Sequence, residues 1–244
     1  MKGNWFTILF DSYSIKGRLL PAFFSMVIPI MIFNHFFISE EFSQFVGGVL
    51  GAKIISNLTI SSVCLYFICE LGRFIAKNVF EKIYFKQELC MPTTNFLLFN
   101  DDTYSDDYKK RMHEKIFKDF KVILLTKDEE LSNQQLARKK IVEIMALIRK
   151  KLHNNKFLLK HNIEYGAMRN TIGGSVIGIF FSIFNIIFFS IYFKNNLAVC
   201  ISVFTFFVYI LFIFFSKIII DFYGKNYAKI LFREYMGVIT KKTS

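Results

Sequence analysis

The sequence is poor in the residues that interrupt regular structure: only 3 of its 244 residues are proline and 12 are glycine. This scarcity excludes a collagen-like repeat and disfavours a proline-rich disordered chain. Acidic residues are also few: the chain has 19 Asp and Glu against 31 Lys and Arg, which gives a formal net charge of +12. Apolar side chains, in contrast, make up 53% of the chain and include 32 Phe. That composition is typical of a helical membrane protein with a basic part outside the bilayer.

Cysteine is scarce too, and its spacing indicates neither a zinc site nor a secreted disulfide framework. Three of the four cysteines, Cys64, Cys69 and Cys200, fall in apolar runs, and Cys90 stands apart. The sequence also lacks a glycine-rich phosphate loop, a Ser/His/Asp set and a pair of carboxylates on one helix face. We therefore expect no metal, no cofactor and no enzymatic activity, with a lipid-modifying membrane enzyme as a remote alternative.

Four apolar runs match the roughly 20 residues that a helix needs to cross the hydrocarbon core. They are residues 19–39, 46–69, 170–193 and 195–216, the second of them interrupted by Lys53. Lys and Arg concentrate in cytoplasmic segments of membrane proteins. Residues 70–171 hold 20 of them and the connector 40–45 holds none. We therefore predict both termini and the 70–169 segment on the cytoplasmic side of the membrane.

The predicted fold is all-α: a polytopic membrane protein with four transmembrane helices and a helical cytosolic domain between the second and third. Its parts are a first hairpin within 1–69, the cytosolic domain 70–169, a second hairpin 170–216 and a cytosolic amphipathic tail 217–244. Within the cytosolic domain, residues 109–125 have the apolar period of one helix. A second helical stripe comprises Ile141, Ile144, Met145, Ile148 and Leu152, with Ser132 and Gln135 as its predicted capping box.

Two basic triplets lie on the polar side of that second helix. They are Arg138, Lys139 and Lys140, then Arg149, Lys150 and Lys151, about three turns further along. Such clusters are the electrostatic footprint of a protein that binds a phosphodiester backbone. A solvated basic face near anionic lipid explains them equally well.

Polar residues in or beside the spans are candidates for a pore or gate. Lys53, Asn57 and Ser61 share one face of the second span, although Lys53 would also be satisfied by extending its side chain to the membrane interface. Arg169 and Asn170 lie where the cytosolic domain enters the third span, and an arginine there would also anchor the helix to lipid headgroups. Gly174, Gly178 and Ser182 form a small-residue face that predicts close helix packing, either within one copy or between copies.

Three short stretches carry a resemblance to known proteins: residues 11–21, the Pro92-Thr93-Thr94 run followed by Arg111 and His113, and Tyr165-Gly166 with Arg169-Asn170. They resemble a group of bacterial four-span membrane proteins found with antiphage systems, and are similar to the transmembrane effectors of the Hailong defence system. The resemblance implies an oligomeric ion channel held shut by a single-stranded oligodeoxyadenylate, which a partner nucleotidyltransferase makes. Loss of that DNA oligomer during infection would open the channel and depolarise the cell.

The leading hypothesis is therefore a homo-oligomeric channel, with a tetramer favoured, whose partners are the DNA oligomer and membrane lipid. The alternative is a membrane anchor or scaffold that recruits a soluble partner and conducts nothing.

Overall fold

The computed structural model describes residues 15–29, 32, 66–86 and 88–237. Within those ranges the regular structure is helical and contains no strand, which confirms the all-α part of the prediction. Among the described residues, two helices are long and apolar enough to cross a membrane, Lys156–Phe193 and Asn196–Phe214. Residues 30, 31 and 33–39 of the predicted first span and residues 46–65 of the second lie outside the described residues.

Nine helical segments follow one another through the described ranges. Segment α1 covers residues 15–29 and contains π-helical turns at Ile15–Leu19 and Phe23–Val27, whereas α2 covers residues 66–85 and contains the π-helical turn Ala76–Glu81. The others are α3 (Pro92–Asn95), α4 (Asp106–Phe120), α5 (Lys127–Ser132), α6 (Gln134–Lys151), α7 (Lys156–Phe188, continued by a π-helical turn at Phe189–Phe193), α8 (Asn196–Phe214) and α9 (Ser216–Gly237).

The chain divides into two compact units. The first draws on residues 1–80 and 166–219, and the second on residues 81–165 and from 220 onward. The boundaries fall inside α2, α7 and α9, so each of these helices contributes residues to both units.

The second unit has an apolar core built around α6. The predicted stripe of α6 is confirmed, because each of its five residues is 4% exposed or less. Helix α4 contributes Met112 and Ile116, and α9 contributes Leu231, Phe232 and Tyr235, all of them fully buried. The part of the predicted tail that forms the end of α9 is therefore a core element of this unit.

Two local predictions in the second unit were wrong. Helix α4 ends at Phe120 and not at residue 125, because Lys121 adopts a left-handed conformation (φ 58°) and caps the helix through its N–H. The capping box belongs to α5, where Thr126 and Glu129 bond reciprocally. Helix α6 is instead capped by Asn133, whose side chain accepts a hydrogen bond from the N–H of Leu136. Periodicity does not reveal these ends, because the apolar pattern continues past them.

Candidate functional site

The structure divides the six basic residues of the triplets into two groups. Lys139 and Lys150 are exposed and Lys140 is half-buried. Arg138, Arg149 and Lys151, in contrast, make polar contacts within the second unit. The sequence could not predict this division, because the residues that receive these contacts lie at least 32 positions away along the chain.

Arg138 and Arg149 both reach the segment between α2 and the end of α3. The Nη1 atom of Arg138 donates to the carbonyl oxygen of Leu89 at 2.7 Å and to Oδ1 of Asn95 at 2.6 Å. The Nη1 atom of Arg149 lies 3.5 Å from Oε2 of Glu88, and its Nη2 donates to Oγ1 of Thr93 at 3.4 Å. Arg138 is therefore more tightly bonded than Arg149.

Lys151 belongs to a polar cluster that joins α4, α6 and α9. Its Nζ lies 2.7 Å from Oδ2 of Asp119, whose side chain is fully buried. The same oxygen accepts a hydrogen bond from the hydroxyl of Tyr235 at 2.9 Å. Burial acts to raise the pKa of Asp119, but the hydrogen bonds from Lys151 and Tyr235 outweigh it and hold the pKa below its usual value. Lys151 is thus a structural partner of a buried carboxylate.

A buried Lys and a buried Glu that sequence reasoning missed hold the segment after α3. The ammonium of Lys109, 1% exposed, donates to the carbonyl oxygens of Phe99 and Asp101. The carboxylate of Glu130, 3% exposed, accepts from the N–H groups of Phe99 and Asn100 at 3.0 and 3.2 Å. Side chains thus replace the regular hydrogen bonds that this irregular segment lacks.

A cleft of about 470 Å³ opens beside His113 in the second unit. Two lysines and three acidic residues contribute to its lining, namely Lys110, Lys127, Asp106, Glu114 and Asp128. Lys127 and Asp106 are themselves paired at 2.8 Å. Because the charges are mixed, the cleft does not favour an anionic ligand. No group of three His, Cys, Asp or Glu side chains suited to a metal ion occurs among the described residues.

His113 should make the second unit sensitive to mild acid. Burial lowers its pKa, although a hydrogen bond between Nε2 and the Leu97 carbonyl (3.1 Å) acts in the opposite direction. A histidine with a depressed pKa binds protons more readily in the unfolded chain, so its contribution to stability is lost as pH falls below about 6.5. We expect the thermal unfolding temperature of the detergent-solubilised protein to fall between pH 7.5 and pH 5.5.

The matched comparison uses the exposed His153. The substitution His113→Gln should flatten this pH dependence, because glutamine can still donate to the Leu97 carbonyl but does not titrate. The substitution His153→Gln should leave the slope unchanged. Equal slopes in the wild type and His113→Gln would contradict the assignment.

The small-residue face of α7 packs inside the first unit. An added Cβ on Gly174 would lie 2.2 Å from Oγ of Ser25, and one on Gly178 would lie 2.7 Å from the Ser25 carbonyl oxygen. Further along α7, the hydroxyl of Ser182 lies 3.3 Å from that of Thr205 on α8. In this structure the small-residue face therefore packs against other helices of the same copy, which is the first of the two predicted arrangements.

Polar side chains of α7 and α8 satisfy backbone carbonyls of α1. The Nδ2 atom of Asn170 donates to the Gly17 carbonyl at 2.7 Å, and in a regular α-helix that carbonyl would pair with residue 21, a proline that has no N–H. Asn185 donates in the same way to the Pro29 carbonyl at 2.8 Å, and Tyr209 to the Phe24 carbonyl at 2.9 Å. Buried polar groups in helices this apolar need hydrogen-bond partners inside the protein, and these three side chains have them.

The candidate gate residues can be located only in part. Arg169 and Asn170 are 7% and 6% exposed, and Arg169 donates to Oδ1 of Asn170 at 3.3 Å. Lys53, Asn57 and Ser61 lie outside the described residues. Arg169 and Asn170 are therefore interior residues of the first unit, and the guanidinium of Arg169 does not lie on its surface.

Comparisons with protein-family models, curated proteins and solved structures each found no match to this chain.

Proposed function

We propose that this protein is an oligomeric ion channel of the bacterial inner membrane, an effector of antiphage defence whose cytosolic unit binds an oligonucleotide. Four spans and cytoplasmic termini are part of the proposal. A single copy with four spans is too small to enclose an aqueous path, so the path would form where several copies meet. The ligand would be a single-stranded DNA oligomer from a partner nucleotidyltransferase, and its loss would depolarise the membrane.

The observation that carries the proposal is the presence, in one chain, of spanning-length apolar helices and a basic helical unit. In each spanning-length helix, only 22% of the most apolar stretch of 18 residues is buried inside the protein, so large apolar surfaces remain for lipid or another copy. Lys139 and Lys150 are exposed on α6 and available to a phosphodiester backbone.

The channel half of the proposal predicts ion leak from liposomes that contain the purified protein. After nuclease treatment, we expect an ion efflux that added oligodeoxyadenylate suppresses. Liposomes prepared in the same way without protein are the control. If the liposomes leak no ions, either after nuclease treatment or at any concentration of added oligodeoxyadenylate, the channel is contradicted and the non-conducting anchor is favoured.

The ligand half predicts that Lys139→Glu combined with Lys150→Glu weakens oligonucleotide binding by at least about tenfold, because each reversal replaces a favourable phosphate contact with repulsion. Expression of this variant should be more toxic to the cell than expression of the wild type, because less of the DNA oligomer that holds the channel shut would be bound. Fluorescence anisotropy with a labelled oligodeoxyadenylate measures the first effect and growth curves the second.

The matched control reverses the same number of charges elsewhere in the second unit. Lys118 and Lys160 are exposed on α4 and α7, and Lys118→Glu combined with Lys160→Glu should change binding by less than about threefold at physiological salt, since screening limits distant charges. Equal weakening by both double variants would indicate a net-charge effect and remove the α6 lysines from the site.

A further inference from the structure

The segment that connects α2 to α3 holds a carboxylate against Arg149. Two non-glycine residues of this segment, Lys86 and Glu88, have positive φ angles of 44° and 72°. The Glu88 carbonyl accepts a hydrogen bond from Oγ1 of Thr94 at 2.8 Å, and the N–H of Cys90 donates to the Phe85 carbonyl at 2.9 Å. These bonds fix an unfavourable backbone conformation, and such conformations persist where the surrounding contacts determine them.

The carboxylate of Glu88 is held by a weak pair. Its side chain is 48% exposed and that of Arg149 is 33% exposed, with 3.5 Å between Oε2 and Nη1. Ion pairs that water reaches to this degree contribute little to stability. A phosphate group, in contrast, can accept two parallel hydrogen bonds from one guanidinium, a geometry that strengthens and orients the contact.

The surroundings of Arg149 suit a phosphate. The hydroxyl of Thr93 lies 3.4 Å from Nη2 of Arg149 and can donate to an oxygen bound there. Lys150 is the next residue along α6 and is exposed. Arg138 differs, because its two hydrogen bonds at 2.7 and 2.6 Å already engage it with Leu89 and Asn95.

We propose that Arg149 and Thr93 form a phosphate-binding site, and that the Glu88 carboxylate occupies this site until a phosphate group of the ligand displaces it. This inference rests on the proposed function for the identity of the ligand, a phosphodiester oligomer. Arg138 is not part of the site and serves to hold the segment. Ligand binding therefore frees Glu88 from α6, and the affinity of the protein for the ligand is lower than Arg149 alone would provide.

The test measures the affinity of the full-length protein in detergent for a fluorescent 12-nucleotide oligodeoxyadenylate. Removing the competing carboxylate with Glu88→Gln should tighten binding by about five- to tenfold. The substitution Arg149→Gln should weaken it by at least about tenfold. Arg149→Lys retains the charge without the two parallel donors and should give an intermediate loss, which keeps the test valid if Arg149→Gln fails to fold.

The matched control is Asp106→Asn. Asp106 is also an exposed carboxylate, paired with Lys127 at 2.8 Å, and its replacement changes the net charge by the same amount. We expect it to alter affinity by less than about twofold. If Glu88→Gln binds no more tightly than Asp106→Asn, or if neither Arg149 variant weakens binding, the site is overturned while the proposed function stands. If the wild type and every variant bind no oligonucleotide even at low salt, both are overturned.

Discussion

Replacing Gly173 with alanine is expected to destabilise the first unit severely, although the change adds one methyl group. A Cβ at this position would lie 2.1 Å from the carbonyl oxygen of Gly72 and 2.8 Å from both the backbone nitrogen and the Cβ of Ala76. Backbone atoms cannot move aside as a flexible side chain can, so α2 and α7 would have to separate. Overpacking of this kind costs about 1–3 kcal/mol, and a clash with backbone places it at or above the upper end.

The measurement is thermal unfolding in detergent together with the yield of folded protein. Gly237 offers a matched control, because a Cβ there meets nothing within 4 Å. Outside such a contact, alanine is favoured over glycine in a helix by about 0.5–1 kcal/mol, so Gly237→Ala should leave stability unchanged or slightly increased. Equal stability of Gly173→Ala and Gly237→Ala would show that the two helices do not approach each other this closely.

Replacing Glu130 with alanine is expected to destabilise the second unit by about 2–4 kcal/mol, since two backbone N–H groups lose a charged acceptor. These are the N–H groups of Phe99 and Asn100, which the carboxylate binds at 3.0 and 3.2 Å. Glu130→Gln should recover only part of the loss, because its amide oxygen can accept from one N–H group while its NH2 group, a donor, faces the other.

The control for Glu130 is Glu143→Ala. Glu143 is exposed on α6, and surface substitutions of this kind usually change stability by less than about 0.5 kcal/mol. Chemical denaturation followed by circular dichroism measures both variants. A Glu130→Ala variant as stable as Glu143→Ala would show that the carboxylate does not hold the segment after α3.

The predicted helix content of the second unit depended on side-chain periodicity, and periodicity was informative where a helix has one buried face. The stripe from Ile141 to Leu152 identified α6 and its buried side correctly. Met91, the residue before Pro92, has an extended conformation, in accord with the tendency of proline to disfavour helix in the preceding residue. Helix ends were less predictable, as Lys121 shows: a single left-handed residue ends α4 within a continuing apolar pattern.

The basic triplets show a second limit of sequence reasoning. The sequence indicates that Arg138, Arg149 and Lys151 are charged and lie on a helix, but not that Leu89, Glu88 and Asp119 receive their hydrogen bonds or ion pairs. A charge and its partner can be far apart along the chain, and no local pattern records the pairing. The same reasoning explains why Lys109 and Glu130 were missed.

The amino-acid sequence by itself determined the helical class, the spanning-length apolar runs and the excess of basic residues outside them. These properties follow from composition and from the period of the side chains along one segment. Only the tertiary structure decided that the small residues of α7 pack within one copy, that Asn170 completes the hydrogen bonding of α1, and that Arg149 faces Glu88. Each of these depends on residues brought together from distant segments, where steric fit and hydrogen-bond geometry select the partner.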